Sequence, residues 1–130
     1  MKGQPPLSAD AGFTLVESML ALTILSISLL AVAKLQVHAL QGNALSRRIT
    51  LAVAIAEQKA EQLKTTPYDS LQAESATTVT VSNLTFTRQV LVTAGPIANT
   101  KAVSVLVTWQ EQAKTHTVPL ATVIAKPLGG

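Results

Sequence analysis

The sequence predicts an α+β protein in which a long N-terminal helix packs on a small antiparallel β-sheet of roughly four strands. The first half of the chain is apolar on all sides and then apolar on one side only, as in a helix that leaves a non-aqueous environment. After Pro67 the pattern changes to the alternation of apolar and polar residues that is typical of strands. The segment after Pro67 is too short to bury a large core alone, so we expect the helix to supply half of it.

Composition indicates a membrane segment and excludes several kinds of site. Of the 130 residues, 48% are hydrophobic and 13% are charged, about half the charged share of an ordinary soluble domain. The net charge of +3 includes no basic tract, so we expect no nucleic-acid partner. The chain has no cysteine, which excludes disulfides and thiolate chemistry.

The first element is a predicted membrane-spanning helix over residues 13–33, in which Glu17 is the only charged residue. A helix of that length measures about 31 Å and matches the ~30 Å hydrocarbon core of a bilayer. Residues 18–33 alone would measure only about 24 Å, so a spanning helix must include Glu17. An acid at the centre of a membrane helix costs about 2.5–3.5 kcal/mol and less near the interface, so Glu17 needs a partner.

Three interpretations of this segment compete. It could be a secretory signal peptide cleaved after Ala33, where Ala31 and Ala33 form an A-x-A pattern, and this would release a soluble binding module. It could be a plain anchor with an incidental acid. In the third interpretation, cleavage before Phe13 creates an amine that pairs with Glu17, and only this one gives the carboxylate a role.

The residues around the acid carry a family resemblance. Gly12, the stretch FTLVES (13–18) and the aliphatic run after it resemble the type IV pilin and pseudopilin superfamily. The resemblance implies that a prepilin peptidase removes residues 1–12 by cutting between Gly12 and Phe13, and then methylates the amine of Phe13. It also implies that Glu17 pairs with the Phe13 amine of an adjacent subunit during filament assembly.

The resemblance also implies location and partners. The protein would be a single-pass inner-membrane protein with a cytoplasmic N-terminus, and would then enter a periplasmic or cell-surface filament. Its partners would be prepilin peptidase, other pilin or pseudopilin subunits, the inner-membrane assembly platform and membrane lipid. The Lys and Arg count, with Lys2 before the helix and Lys34, Arg47 and Arg48 after it, favours the opposite orientation, and here we follow the motif.

The second element is the amphipathic half of the helix, residues 34–66, which is rich in good helix formers. Gly42 and Asn43 weaken the helix locally, and Pro67 ends it. The predicted core-facing stripe recurs at steps of three and four. Its members are Leu45, Ile49, Ala52, Ala56, Ala60 and Leu63.

The remaining residues, 67–130, are predicted to form the β-sheet head. The predicted strands are residues 76–82, 84–93, 101–109 and 114–125. Residues 95–100 form a loop and residues 110–113 a hairpin turn. Pro119 places the last strand at an edge or in a bulge.

Two weaker similarities concern the subtype. Residues 54–71 and 103–124 resemble PilV-type minor pilins. The absence of cysteine and the short head favour a minor subunit over a main fibre subunit. A type II secretion pseudopilin remains an alternative.

The sequence contains no set of catalytic or metal-binding residues, so we expect neither an enzyme nor a cofactor. His38 and His116 lack metal-ligand spacing, and no nucleophile, P-loop or dinucleotide motif is present. We expect Trp109 to be a packing residue and His116 a surface imidazole. Two charged pairs, Glu57 with Glu61 and Arg47 with Arg48, are expected to be solvated.

Overall fold

The structure is a computed structural model that describes Gly3 and residues 14–129, and it confirms the predicted fold class. Its elements are helix α1 (Leu15–Thr65), a short 3₁₀ helix (Tyr68–Ser70) and strands β1 (Glu74–Val81), β2 (Leu84–Ala94), β3 (Thr100–Glu111) and β4 (Lys114–Ala125). The chain divides into two compact units between Asn43 and Ala44. We call residues 15–43 the N-terminal helix segment and residues 44–129 the head.

Helix α1 ends where the sequence predicts, just before Pro67. The N–H of Thr66 donates to the carbonyl of Leu63 at 3.2 Å, which tightens the last turn. The hydroxyls of Thr65 and Thr66 both donate to the carbonyl of Gln62, at 2.8 and 2.9 Å. The threonines thus satisfy a carbonyl that the end of the helix would otherwise leave free.

The four strands form an antiparallel sheet in the order β1-β2-β3-β4. The turns after β1 and β3 each consist of two residues with positive φ, Ser82 and Asn83 in the first and Gln112 and Ala113 in the second. Two positive φ values mark the type I′ turns whose twist suits a hairpin. β4 is an edge strand, as Pro119 predicted, but it pairs with β3 in continuous register, so the alternative of a bulge at this residue is wrong.

The core of the head lies between α1 and one side of the sheet. Four of the six predicted stripe residues are buried and Leu45 is half-buried, whereas Ile49 is 42% exposed and its prediction is wrong. The buried hydrophobic residues of the helix are Ala52, Ile55, Ala56, Ala60 and Leu63. Those of the sheet are Phe86, Val90, Val103, Val105, Val107 and Trp109.

The opposite side of the sheet, which we call the outer face, consists of the alternate strand residues that point away from the core. On β1 and β2 these are Thr78, Thr80, Thr85, Thr87, Gln89, Leu91 and Thr93. On β3 and β4 they are Ala102, Ser104, Leu106, Thr108, Gln110, Thr115, Thr117, Pro119, Ala121 and Val123. None of these side chains carries a charge.

Ionic contacts join the helix to the sheet at two places. Lys59, which is only 7% exposed, pairs with Glu74 of β1, and Arg88 of β2 lies 3.7 Å from the other carboxylate oxygen. Arg48 lies 3.7 Å from Glu111 and donates to the carbonyl of Gln110 at 3.4 Å. The prediction that Arg48 is merely solvated is therefore wrong, because the Arg48 side chain contacts the end of β3.

Three aromatic side chains, those of Phe86, Trp109 and His116, contact one another. Trp109 is 4% exposed, as predicted for a packing residue, and meets Phe86 edge to face with ring centroids 5.9 Å apart. His116 stacks on Trp109 with ring centroids 5.2 Å apart and is half-buried on the helix side. The prediction of a surface imidazole is therefore wrong, because register with Trp109 turns His116 towards the core.

Candidate processing and assembly site

The candidate site begins at the first turn of α1. Thr14 precedes the helix, and its hydroxyl accepts a hydrogen bond from the backbone N–H of Glu17 at 3.3 Å. The carbonyl of Thr14 accepts the N–H of Ser18 at 3.2 Å. Thr14 is therefore the N-cap of α1, and it satisfies donors that the helix start leaves unpaired.

The spacing of Thr14 and Glu17 is that of a capping box, in which a hydroxyl residue is followed three positions later by an acid. This spacing is a signal in the sequence that the prediction of the site did not use. The helix dipole also favours an acid in the first turn. Among the described contacts, the Thr14 half of this capping box is formed, by the hydrogen bond from the Glu17 N–H to the Thr14 hydroxyl.

The other two predicted processing residues, Gly12 and Phe13, lie outside the described residues. Glu17 itself is exposed and forms no ion pair with any residue of the described part of the chain. Its carboxylate is thus accessible to a partner at the start of the helix.

The N-terminal helix segment is exposed along its length. One window of α1 has a mean hydropathy of 2.2 and none of it is buried, so the helix is long and apolar enough to cross a membrane. Leu15 is 77% exposed, Leu30 67% and Leu40 68%. A surface of this extent needs lipid or other helices around it.

The polar side chains of this segment are compatible with lipid, because they bond to the helix backbone. The hydroxyl of Thr23 donates to the carbonyl of Met19 at 2.8 Å. Ser26 and Ser28 make the same contact with the carbonyl four positions earlier, at 2.7 and 2.8 Å. Each hydroxyl thus avoids the cost of an unpaired donor in hydrocarbon.

The proposed signal-peptide cut after Ala33 would fall within continuous helix, since α1 runs from Leu15 to Thr65 without a break. Every buried residue of α1 lies at or beyond Ala52, so such a cut would leave the core of the head intact. The geometry of the described residues therefore permits this cut.

Within the described residues, no three His, Cys, Asp or Glu side chains come together as a metal site would require. Glu61 is exposed, as predicted, and pairs with Lys64 at 2.7 Å. Glu57 is exposed one turn earlier.

Comparison with known proteins identifies the N-terminal segment. Residues 7–33 match the family described as the Prokaryotic N-terminal methylation motif, and the match includes Gly12, Phe13 and Glu17. No curated protein sequence and no solved structure matches the chain significantly. Fold and motif together define a class: a helix-plus-sheet protein whose start is of the type IV pilin type and whose helix can anchor it in a membrane.

Proposed function

We propose that this protein is a minor subunit of a type IV pilus, held in the inner membrane by α1 until it joins the filament. The observation that carries the proposal is the methylation motif over residues 7–33, whose later part is the exposed apolar start of helix α1. A type II secretion pseudopilin has the same two features and is the alternative within this class.

In the proposed mechanism, prepilin peptidase cuts between Gly12 and Phe13 and methylates the new amine. Glu17 stands at the edge of the apolar helix, where a carboxylate without a partner is costly. The ammonium group of Phe13 in an adjacent subunit would neutralise it. Opposite charges attract strongly in a medium of low dielectric, but the cost of removing them from water offsets much of that gain. The contact would therefore determine the register of neighbouring subunits more than the strength of their association.

The head would contribute a rigid body to this assembly. Its core joins the second half of α1 to the sheet through buried apolar residues and through the pairs Lys59–Glu74 and Arg48–Glu111. The stretch of α1 that belongs to the head would therefore move together with the sheet as one body.

The test is the N-terminus of the mature protein, read by intact mass and terminal sequencing after expression with a prepilin peptidase. We expect a chain that starts at Phe13 and carries one methyl group on its amine. A chain that starts at Lys34 would instead establish the released soluble module. An unprocessed chain in the presence of active peptidase would contradict the proposal.

A further inference from the structure

The charged side chains of the sheet do not lie on the side of the sheet that faces away from the helix, where an ordinary exposed sheet would carry them. All charged residues of the four strands lie on the helix side of the sheet or at its ends, namely Glu74, Arg88, Lys101, Glu111 and Lys114. The outer face has none. Soluble proteins carry charge on about 25–35% of their surface residues, and an antiparallel sheet normally directs its polar side towards water.

The outer face has two chemically distinct halves. Near the two hairpin turns, Thr78, Thr87, Thr108 and Thr117 pair in register and form a row of hydroxyls across all four strands. The other half is more apolar, with Gln89, Thr93 and Ser104 as its polar residues. Its apolar residues are Leu91, Ala102, Leu106, Pro119, Ala121 and Val123, of which Leu91 is 43% and Val123 53% exposed.

The size of the outer face suits a protein interface. Strands of 8, 11, 12 and 12 residues, at ~3.4 Å per residue and ~4.8 Å between strands, give a face of roughly 700 Å². A standard stable interface buries about 800 Å² on each partner. Depletion of charge is also the compositional mark of the centre of an interface.

We propose that the outer face is the contact surface for a second copy of this chain, packed face to face through the same residues. An uncharged face can oppose itself without like-charge repulsion. With a two-fold axis along the strands, the threonine half of one copy meets the threonine half of the other, and the apolar halves also meet. This pairing needs neither Glu17 nor a methylated amine, so it goes beyond the proposed function.

The absence of cysteine from the chain allows a direct test by cross-linking. Ser104 lies near the centre of the outer face, and Ser104→Cys changes one atom. Ser46→Cys, at an exposed position on α1, is the matched control. The full chain in its host membrane would be treated with a bismaleimide that spans about 10 Å, the distance between two packed sheets.

We expect a homodimer from Ser104→Cys, confirmed by mass spectrometry of the linked peptides, and only background from Ser46→Cys. Ser104→Lys should weaken the dimer of the full chain in detergent roughly 100-fold, because it buries two like charges in the interface. Ser46→Lys should leave the dimer unchanged. Trp109 fluorescence would verify that each variant is folded.

Three results would overturn the proposal: no linked product from Ser104→Cys, equal linkage of both cysteine variants, or linkage of Ser104→Cys only to a different protein. Equal linkage would indicate association through the membrane helix. The start of the mature chain is measured separately, so failure of the pairing would leave the proposed function standing.

Discussion

The N-terminal helix segment and the head use the same aliphatic residues in opposite ways. Leu15 and Leu30 of the segment are 77% and 67% exposed, whereas Ala52, Val103 and Val105 of the head are fully buried. The head buries its apolar groups against itself, while no residue of the segment is buried. The segment therefore depends on lipid or on other subunits, and only the head can be stable through its own contacts.

The two regions also satisfy polar groups differently. In the segment, hydroxyls return to the backbone one turn earlier, as Thr23 does to Met19. In the head, charged side chains reach between elements, as Lys59 does to Glu74. Glu17 is the exception, because it is an acid in the apolar segment whose carboxylate has neither a hydrogen bond nor an ion pair within the described residues.

The largest expected effect comes from removing the carboxylate of Glu17. Glu17→Val should leave the protein processed and inserted in the membrane, because it makes the segment more apolar, but should abolish its incorporation into filaments. Purified filaments, probed for this subunit and compared with membranes, would give the measurement. Filaments that contain the variant at the level of the native chain would disprove the pairing of Glu17 with an amine.

Glu57→Val is the matched control for that experiment, since it makes the same change at an exposed position of the same helix within the head. We expect it to enter filaments normally. If neither variant entered filaments, the loss of any acid from α1 would prevent assembly, and Glu17 would have no special role.

The next largest effect is on stability, and it should differ between a substitution in the head and one in the N-terminal helix segment. Ile55→Ala removes a side chain that is 5% exposed in the core and should lower the free energy of unfolding of the head by about 3 kcal/mol. Leu25→Ala, at a position 53% exposed in the segment, should change it by less than ~0.5 kcal/mol.

Trp109 makes this measurement specific to the head, because it is the single tryptophan and lies in the core. Its fluorescence during urea unfolding in detergent would report the head alone. Equal losses in both variants would contradict the view that the head is stable through its own core.

The sequence predicted the fold well because its patterns change sharply. The shift of period at Pro67 located the end of the helix to within two residues of the observed Thr65. Alternation located all four strands, although β1 begins two residues before the predicted position 76 and β3 ends two residues after position 109. Such patterns record burial on one side of an element, and burial is what forms the fold.

Pairings between distant residues could not be predicted in the same way. Arg48 and Glu111 are far apart in sequence, and nothing local to either residue indicates that they meet. The same is true of Lys59 and Glu74. The stacking of His116 on Trp109 depends on hairpin register, which the two turn residues determine. The residues of the site did carry local signals, namely the motif that contains Gly12, Phe13 and Glu17 and the three-residue spacing from Thr14 to Glu17.

A third prediction concerns the charges between helix and sheet. Glu74→Gln would leave Lys59, only 7% exposed, without its carboxylate and should destabilise the head by about 2–3 kcal/mol. Lys59→Met should change stability by less than ~1 kcal/mol, because it removes the buried charge and leaves Glu74 beside Arg88. Urea unfolding followed by Trp109 fluorescence would measure both. A larger loss from Lys59→Met than from Glu74→Gln would show that the lysine contributes mainly through its charge.

The smallest effect concerns the turn between β3 and β4, where Ala113 has a φ of 63°. This left-handed conformation costs an alanine about 1 kcal/mol and costs a glycine almost nothing. Ala113→Gly should therefore raise the stability of the head by up to ~1 kcal/mol. The same substitution at Ala121, within β4, should lower stability by about 0.5–1 kcal/mol, because there glycine only adds flexibility to the unfolded chain. Thermal unfolding of both variants would test the opposite signs. A loss of stability at both positions would mean that the turn does not hold Ala113 in a strained conformation.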